Sequence, residues 1–453
     1  MRIAPTPLFA VFLLAFALWP PGPAEAQRKS PRVIRDAEIE TIIRGYATPL
    51  FQAAGLSPQA ITVYLIEDKS LNAFVTEGLN MFIYTGLLMR SEDPLQVIAV
   101  IAHETGHITG GHLIGRGVES ENAVLKLLAT QLLGIGAAIV TGQPGAGAAV
   151  ATVGQDIAIK NFLSYTRSQE QTADQTAVRL LKATGQSPRG MADFLRILED
   201  QEILLATSQD PYLRTHPVTK ERIAFAEQAA RESPYADTPA PPELKAQHER
   251  MRAKLTGFLD PPSHVFRKYP ESDASVPARY ARAIAHFRQP NLDEALPLID
   301  ELIAEQPADP FFRELKGQML FENGRAAEAL PEYEAAKKLR PDSPQLRLAL
   351  AQVQIESDDR NLDRAALTNL EEVLRREPDN AFAWRLAATA HGRLGDKGMT
   401  SLALAEGALA RGRLGDAREQ AKRAQGLLPE NSPGWLRAQD VANLAERLQA
   451  KKK

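Results

Sequence analysis

Between Pro31 and about Lys268 the apolar positions recur mostly every three to four residues, with one short alternating stretch; beyond about Ser275 the spacing is helical almost throughout. This pattern predicts a mainly α protein in which a first domain holds a small β-sheet and a second is an all-α array. Ile61 to Ile66 is rich in β-branched and aromatic residues, and Ala73 to Val75 and Met81 to Tyr84 flank the turn-like Glu77-Gly78-Leu79-Asn80. These runs predict a sheet with a hairpin. Asp93-Pro94 then supplies an N-cap and a proline for the first helical turn, and Val97, Ile98, Val100 and Ile101 continue a helix apolar enough to be buried.

The second part repeats. Pro307-Ala-Asp and Pro341-Asp-Ser stand 34 residues apart and Pro378-Asp-Asn follows 37 later, close to the period of tetratricopeptide hairpins. Small and apolar residues at helical spacing (Ala326, Ala329, Leu330, Tyr333, Ala336) fill the interval, with Gly324 at a turn. A longer last unit ends at Pro429-Glu-Asn, with Gly395 and Gly415 as candidate turn glycines, so about four hairpins are expected. The stretch from Pro234 to Pro262, with prolines at both ends of a charged helical segment, reads as a connector. The expected organisation is therefore 1–26, 27–268 and 269–453.

Composition narrows the compartment and the partners. Arg2, an apolar run from Leu8 to Trp19 and Ala24-Glu25-Ala26 form a signal peptide with a small-x-small cleavage site. The run would span roughly 18 Å as helix, short of the ~30 Å hydrocarbon core, which argues against an anchor. A net charge of -3 with no long basic block leaves no footprint for nucleic acid. With no cysteine, disulfides and thiolate ligands are absent.

Chemistry concentrates at His103-Glu104-Thr105-Gly106-His107. Residues i and i+4 share a helix face, so both imidazoles can address one ion, while Glu104, turned by about one hundred degrees, suits a general base. The bland alternative is two histidines sharing a face by chance. His112 invites comparison with a longer three-histidine pattern, but the third histidine of that pattern falls at Leu113. Glu170 in Arg167-Ser-Gln-Glu-Gln-Thr-Ala-Asp174 is the better third ligand; it and Asp174 are i and i+4, and Asp174 could orient a ligand imidazole. Spacing alone would equally allow a solvated face.

Asn72-Ala-Phe with Tyr84-Thr-Gly-Leu-Leu, then His-Glu-Thr-Gly-His, then Arg167 to Asp174, and Thr215-His216-Pro217 with Arg222 together resemble the M48 family of zinc metallopeptidases, in particular its periplasmic β-barrel assembly-enhancing type with C-terminal tetratricopeptide repeats. Gln171-Thr172 departs from the more acidic pair expected after the glutamate. The resemblance implies a gluzincin-like HExxH zincin fold with one zinc ion. His103, His107 and Glu170 would be its ligands, Glu104 the base and Asp174 an orienting carboxylate. It implies that His216 lies near the metal, either stabilising an oxyanion or filling the open position of a latent enzyme, and that Arg222 buttresses the site. Misfolded or stalled envelope proteins are the implied clients, and outer-membrane assembly machinery the implied partner of the repeats.

Two features stay open at this level. Peptide substrates would add as a strand to an exposed edge, supplied by Asn72, Ala73 and Phe74, with Val75, or by Asn80 to Tyr84. Residues 132–159, Gly/Ala-rich and apolar but too short on either side of Pro144 to cross a bilayer, form a buried hairpin, a lid or a surface touching lipid. A different class of function, a chaperone or adaptor with a largely latent peptidase, shares every motif.

Overall fold

The computed structural model describes residues 32–112, 166–204 and 216–450. The signal-peptide expectation and the expectations for 132–159 lie outside them. Among the described residues four strands form one sheet: β1 (Arg32–Ile34), β2 (Thr62–Glu67), β3 (Ala73–Thr76) and β4 (Asn80–Tyr84), ordered β1-β2-β4-β3. β2 runs parallel to β4 with Tyr64 opposite Phe82, and β3 returns antiparallel with Phe74 opposite Phe82. Phe74, Phe82 and Tyr64 therefore stack across three strands, with ring centroids 4.8 and 5.0 Å apart. β4 is interior, so the alternative that Asn80 to Tyr84 offers an edge is corrected: a strand hydrogen-bonded on both sides has no backbone groups to give a peptide. β3, which packs against the metal-site helix, is the outer strand.

Around the sheet lie α1 (Ala37–Ala53), α2 (Thr85–Arg90), α3 (Pro94–Thr109), α4 (Arg167–Ala183), α5 (Arg189–Leu204) and α6 (Lys220–Glu232). α3 starts as its sequence dictates, with the Asp93 side chain accepting from Leu95 N at 2.8 Å and Pro94 in the first turn. From Val97 to His107 every residue of α3 is buried. Such a helix has no polar face to give to water, so its polar residues need partners from neighbouring elements. α4 supplies them. Thr166 and Gln169 form a reciprocal capping box at its start. The two helices approach closely because a Cβ on Gly106 would lie 2.8 Å from Ala173 O and 2.9 Å from its Cα.

α7 (Pro242–Leu259) and α8 (Pro262–Lys268) follow. α7 is no loose tether. Met251 and Leu255 belong to the core of the first part, while Ala253 packs with Val265, Ala281 and Ala285. Among the described residues ten further helices run in five consecutive pairs, one pair more than the proline spacing resolves. These are α9 (Val276–Arg288), α10 (Leu292–Glu305), α11 (Pro310–Glu322), α12 (Ala326–Leu339), α13 (Pro344–Glu356), α14 (Arg360–Arg376), α15 (Ala381–Leu394), α16 (Lys397–Ala410), α17 (Leu414–Leu427) and α18 (Pro433–Ala450). Gly324 (φ 76°) and Gly395 (φ 86°) turn the chain in the left-handed region, whereas Gly415 lies inside α17 and the turn before it uses Gly412 (φ 67°). No helix of the described residues is long and apolar enough to cross a membrane.

Candidate metal centre

The two imidazoles of α3 face α4, as the i, i+4 spacing requires, and the three elements carrying the site place four donors together. His103, His107, Glu170 and His216 each offer an atom within 4.8 Å of the others. His103 Nε2 and His107 Nε2 are 3.1 Å apart, and Glu170 oxygens lie 3.4 and 3.3 Å from them. His216 Nδ1 is 3.4 Å from His103 Nε2 and 3.0 Å from Glu170 Oε1. A tetrahedron with metal–ligand distances of ~2.0 Å has edges of about 3.3 Å, so these separations fit donors arranged around one small cation.

The electrostatics agree. Burial works against a charge on His103, yet Asp174 and Glu170 outweigh it and raise its pKa to about 10. Burial, reinforced by the positive charge on His103 and His216, holds His107 well below the usual imidazole range. Burial also opposes charge on Glu170, but His216, His103 and His107 keep its carboxyl well below the ordinary value.

Glu104 is 0% exposed, and neither carboxylate oxygen has a hydrogen-bond partner among the described residues. Its Oε1 is 3.5 Å from His216 Nε2, and burial raises its pKa. A buried unsatisfied carboxylate is destabilising by several kcal/mol in magnitude, about 1–3 or more, unless the site gives it work. Beside a metal, a bound water supplies the missing partner.

An outer layer holds the donors. His103 Nδ1 is 2.8 Å from Asp174 Oδ1. Arg222, on α6, spans both acids: Nε to Asp174 Oδ2 at 2.7 Å, Nη2 to Asp174 Oδ1 at 2.8 Å and Nη1 to Glu170 Oε2 at 2.7 Å. It also donates to Pro217 O at 3.0 Å, which ties the His216-Pro217 turn to α4. Arg222 is buried among these partners. Asn72 is buried just before β3 and its carbonyl accepts from Tyr84 N at 3.0 Å; Ala73 and Phe74 are buried with it. The segment therefore lies at the start of the outer strand, which packs against α3. One residue beside the donors escaped the spacing argument: His112, weighed only as a ligand, has its Nδ1 2.9 Å from His107 Nδ1.

Comparison with known proteins agrees with this geometry. The profile of peptidase family M48 matches residues 34–230, and a tetratricopeptide repeat profile matches residues 280–344. The β-barrel assembly-enhancing protease of Yersinia pestis is 24% identical over 397 residues, covering 86% of this chain and 80% of that protein. Its counterpart from Escherichia coli (strain K12) is 26% identical over 394 residues, covering 86% and 79%. Metalloprotease LoiP of the same organism is 28% identical over 204 residues, 44% of this chain and 65% of that protein. The chain is a metalloendopeptidase with an M48 peptidase domain followed by tetratricopeptide repeats.

Proposed function

We propose that this is a periplasmic zinc endopeptidase that cleaves misfolded or stalled envelope proteins and assists the assembly of outer-membrane β-barrels. The observation that carries the chemistry is the convergence of His103, His107 and Glu170 beside a buried, unsatisfied Glu104. Two nitrogens and a carboxylate with a fourth position to spare are the donor set of hydrolytic zinc, which would polarise a peptide carbonyl and acidify a bound water. Glu104 would take the proton from the attacking water and return it to the leaving amine. The raised pKa of its carboxyl suits both directions of transfer. Arg222 and Asp174 would hold Glu170 and His103 in register, and an extended substrate would add to β3 at Asn72 to Phe74.

His216 refines the proposal. Its Nδ1 lies among the donors, which supports a resting enzyme in which it fills the fourth position rather than awaiting an oxyanion. Replacing it by alanine should then raise cleavage of unfolded casein, and an unchanged or lower rate would remove that role. The cellular task rests on two supports: relatives that match over most of the chain are named for enhancing β-barrel assembly, and the apolar run from Leu8 to Trp19 followed by Ala24-Glu25-Ala26 fits export. The repeats would present clients or dock the enzyme on assembly machinery. A pure adaptor role is not favoured, since the same relatives are proteases. The test is complementation: in cells lacking the enzyme, wild type should restore outer-membrane β-barrel levels and Glu104→Gln should not. Equal rescue by Glu104→Gln would contradict a proteolytic role.

A further inference from the structure

α3 ends in Thr109-Gly110-Gly111-His112, and each glycine there has a geometric task. Gly110 N bonds back to Gly106 O at 2.9 Å, Gly111 sits at φ 66° in the left-handed region, and His112 N returns to His107 O at 3.2 Å. The chain therefore reverses immediately after the helix. A Cβ on Gly110 would lie 2.6 Å from His112 Nε2 and 2.8 Å from its Cε1, so the space left by the missing side chain is where the His112 ring sits. That ring meets His107 at a centroid distance of 5.0 Å and 71° between planes, with the two Nδ1 atoms 2.9 Å apart.

Two nitrogens at that distance share one proton, and chemistry decides whose it is. His107 presents Nε2 to the other donors, so Nε2 must carry a lone pair to bind a metal, and its proton must be on Nδ1. Nδ1 of His107 is then the donor and Nδ1 of His112 the acceptor. We propose that His112 is a positioning residue of the metal centre, which accepts from His107 and so fixes the tautomer and ring orientation that direct Nε2 at the ion. This rests on the reading that His103, His107 and Glu170 hold the metal. Each ligand imidazole then has its own outer acceptor, Asp174 for His103 and His112 for His107.

The experiment measures zinc affinity of the full chain against a chelating indicator, with thermal melts of the metal-free protein alongside, for wild type, His112→Ala, His112→Gln and Gly110→Ala. Loss of an outer partner typically weakens a metal site by 10–100-fold. His112→Ala should show a loss of that order with the metal-free melting temperature unchanged. His112→Gln, whose side-chain oxygen can accept, should recover most of it. Gly110→Ala, which crowds the ring, should weaken zinc as His112→Ala does. Wild-type affinity in His112→Ala overturns the inference, as does a loss accompanied by an equally destabilised metal-free protein and no recovery with glutamine. If wild type itself binds no zinc, it is the reading of the centre that fails.

Discussion

The molecule buries two clusters of charge, and they are satisfied in opposite ways. At the start of α1, Glu38 is 0% exposed, yet its Oε1 meets Arg250 Nε at 2.5 Å and its Oε2 meets Tyr280 OH at 2.8 Å and Lys254 Nζ at 3.1 Å. Arg250 goes on to Asp309 and Lys254 to Asp36. Each of these charges has an opposite neighbour, although nearby Glu314 keeps an Oε2 with no hydrogen bond among the described residues and burial pushes its pKa up to about 8; the cluster joins α1, α7, α9 and the loop before α11. At the metal centre Glu104 is equally buried and has no hydrogen bond among the described residues, while three imidazoles crowd the Glu170 carboxylate. A network in which acids alternate with bases holds elements together; convergent donors beside an acid with neither oxygen bonded point to an ion and to chemistry.

The comparison breaks most visibly on stability. Glu38→Ala takes the shared carboxylate from Lys254, Arg250 and Tyr280, leaving the bases only Asp36 and Asp309, and should cost about 3 kcal/mol by chemical unfolding of the metal-free protein. The paired change Glu38→Leu with Lys254→Met should recover a large part. A loss under about 1 kcal/mol for Glu38→Ala would show the network to be ornamental. A smaller effect concerns His248, whose Nε2 donates to Ser91 O at 2.7 Å and whose Nδ1 accepts from Tyr46 OH at 3.3 Å. Burial lowers its pKa from 6.5 to about 4. The unfolded chain therefore binds more protons between those values, so the stabilisation is fully present above pH 6.5 and lost as pH falls toward 4. That loss amounts to about 3 kcal/mol, and His248→Leu should flatten this part of the pH–stability curve. An unaltered slope would remove His248 as its source. Least of all, Arg35, paired with Glu40 and Glu377 near the surface, should change stability by about 1 kcal/mol or less when replaced by alanine.

How much of this the sequence discloses follows the range of the contacts. HExxH spacing places both imidazoles on one face of α3 because helical geometry alone does so, and the β-runs are legible from their β-branched and aromatic residues around a turn. The partnership of Glu170 with those histidines is not local; resemblance names it, and Gly106, which lets α4 close on α3, explains it physically. β1, only three residues long, carries no pattern to detect, and nothing in the composition of β2 and β4 announces that they pair in parallel. The charged stretch of α7 looks solvated in one dimension because Lys254 and Arg250 find their acids more than two hundred residues away. His112 shows the limit on the scale of a single side chain. Two adjacent glycines before a histidine mark a tight reversal, but only coordinates reveal that the reversal aims the ring at His107.

The most direct test of the central contrast is to purify wild type, Glu104→Gln and Glu170→Ala and measure bound metal, casein cleavage and metal-free stability together. Wild type should bind one zinc and cleave. Glu104→Gln should keep the metal, lose cleavage by a factor on the order of 10²–10⁴ and be little less stable, because the carboxylate removed gives up no hydrogen bond among the described residues. Glu170→Ala should lose both metal and activity. Metal retained by Glu170→Ala, or a Glu104→Gln protein destabilised as severely as Glu38→Ala, would contradict the account.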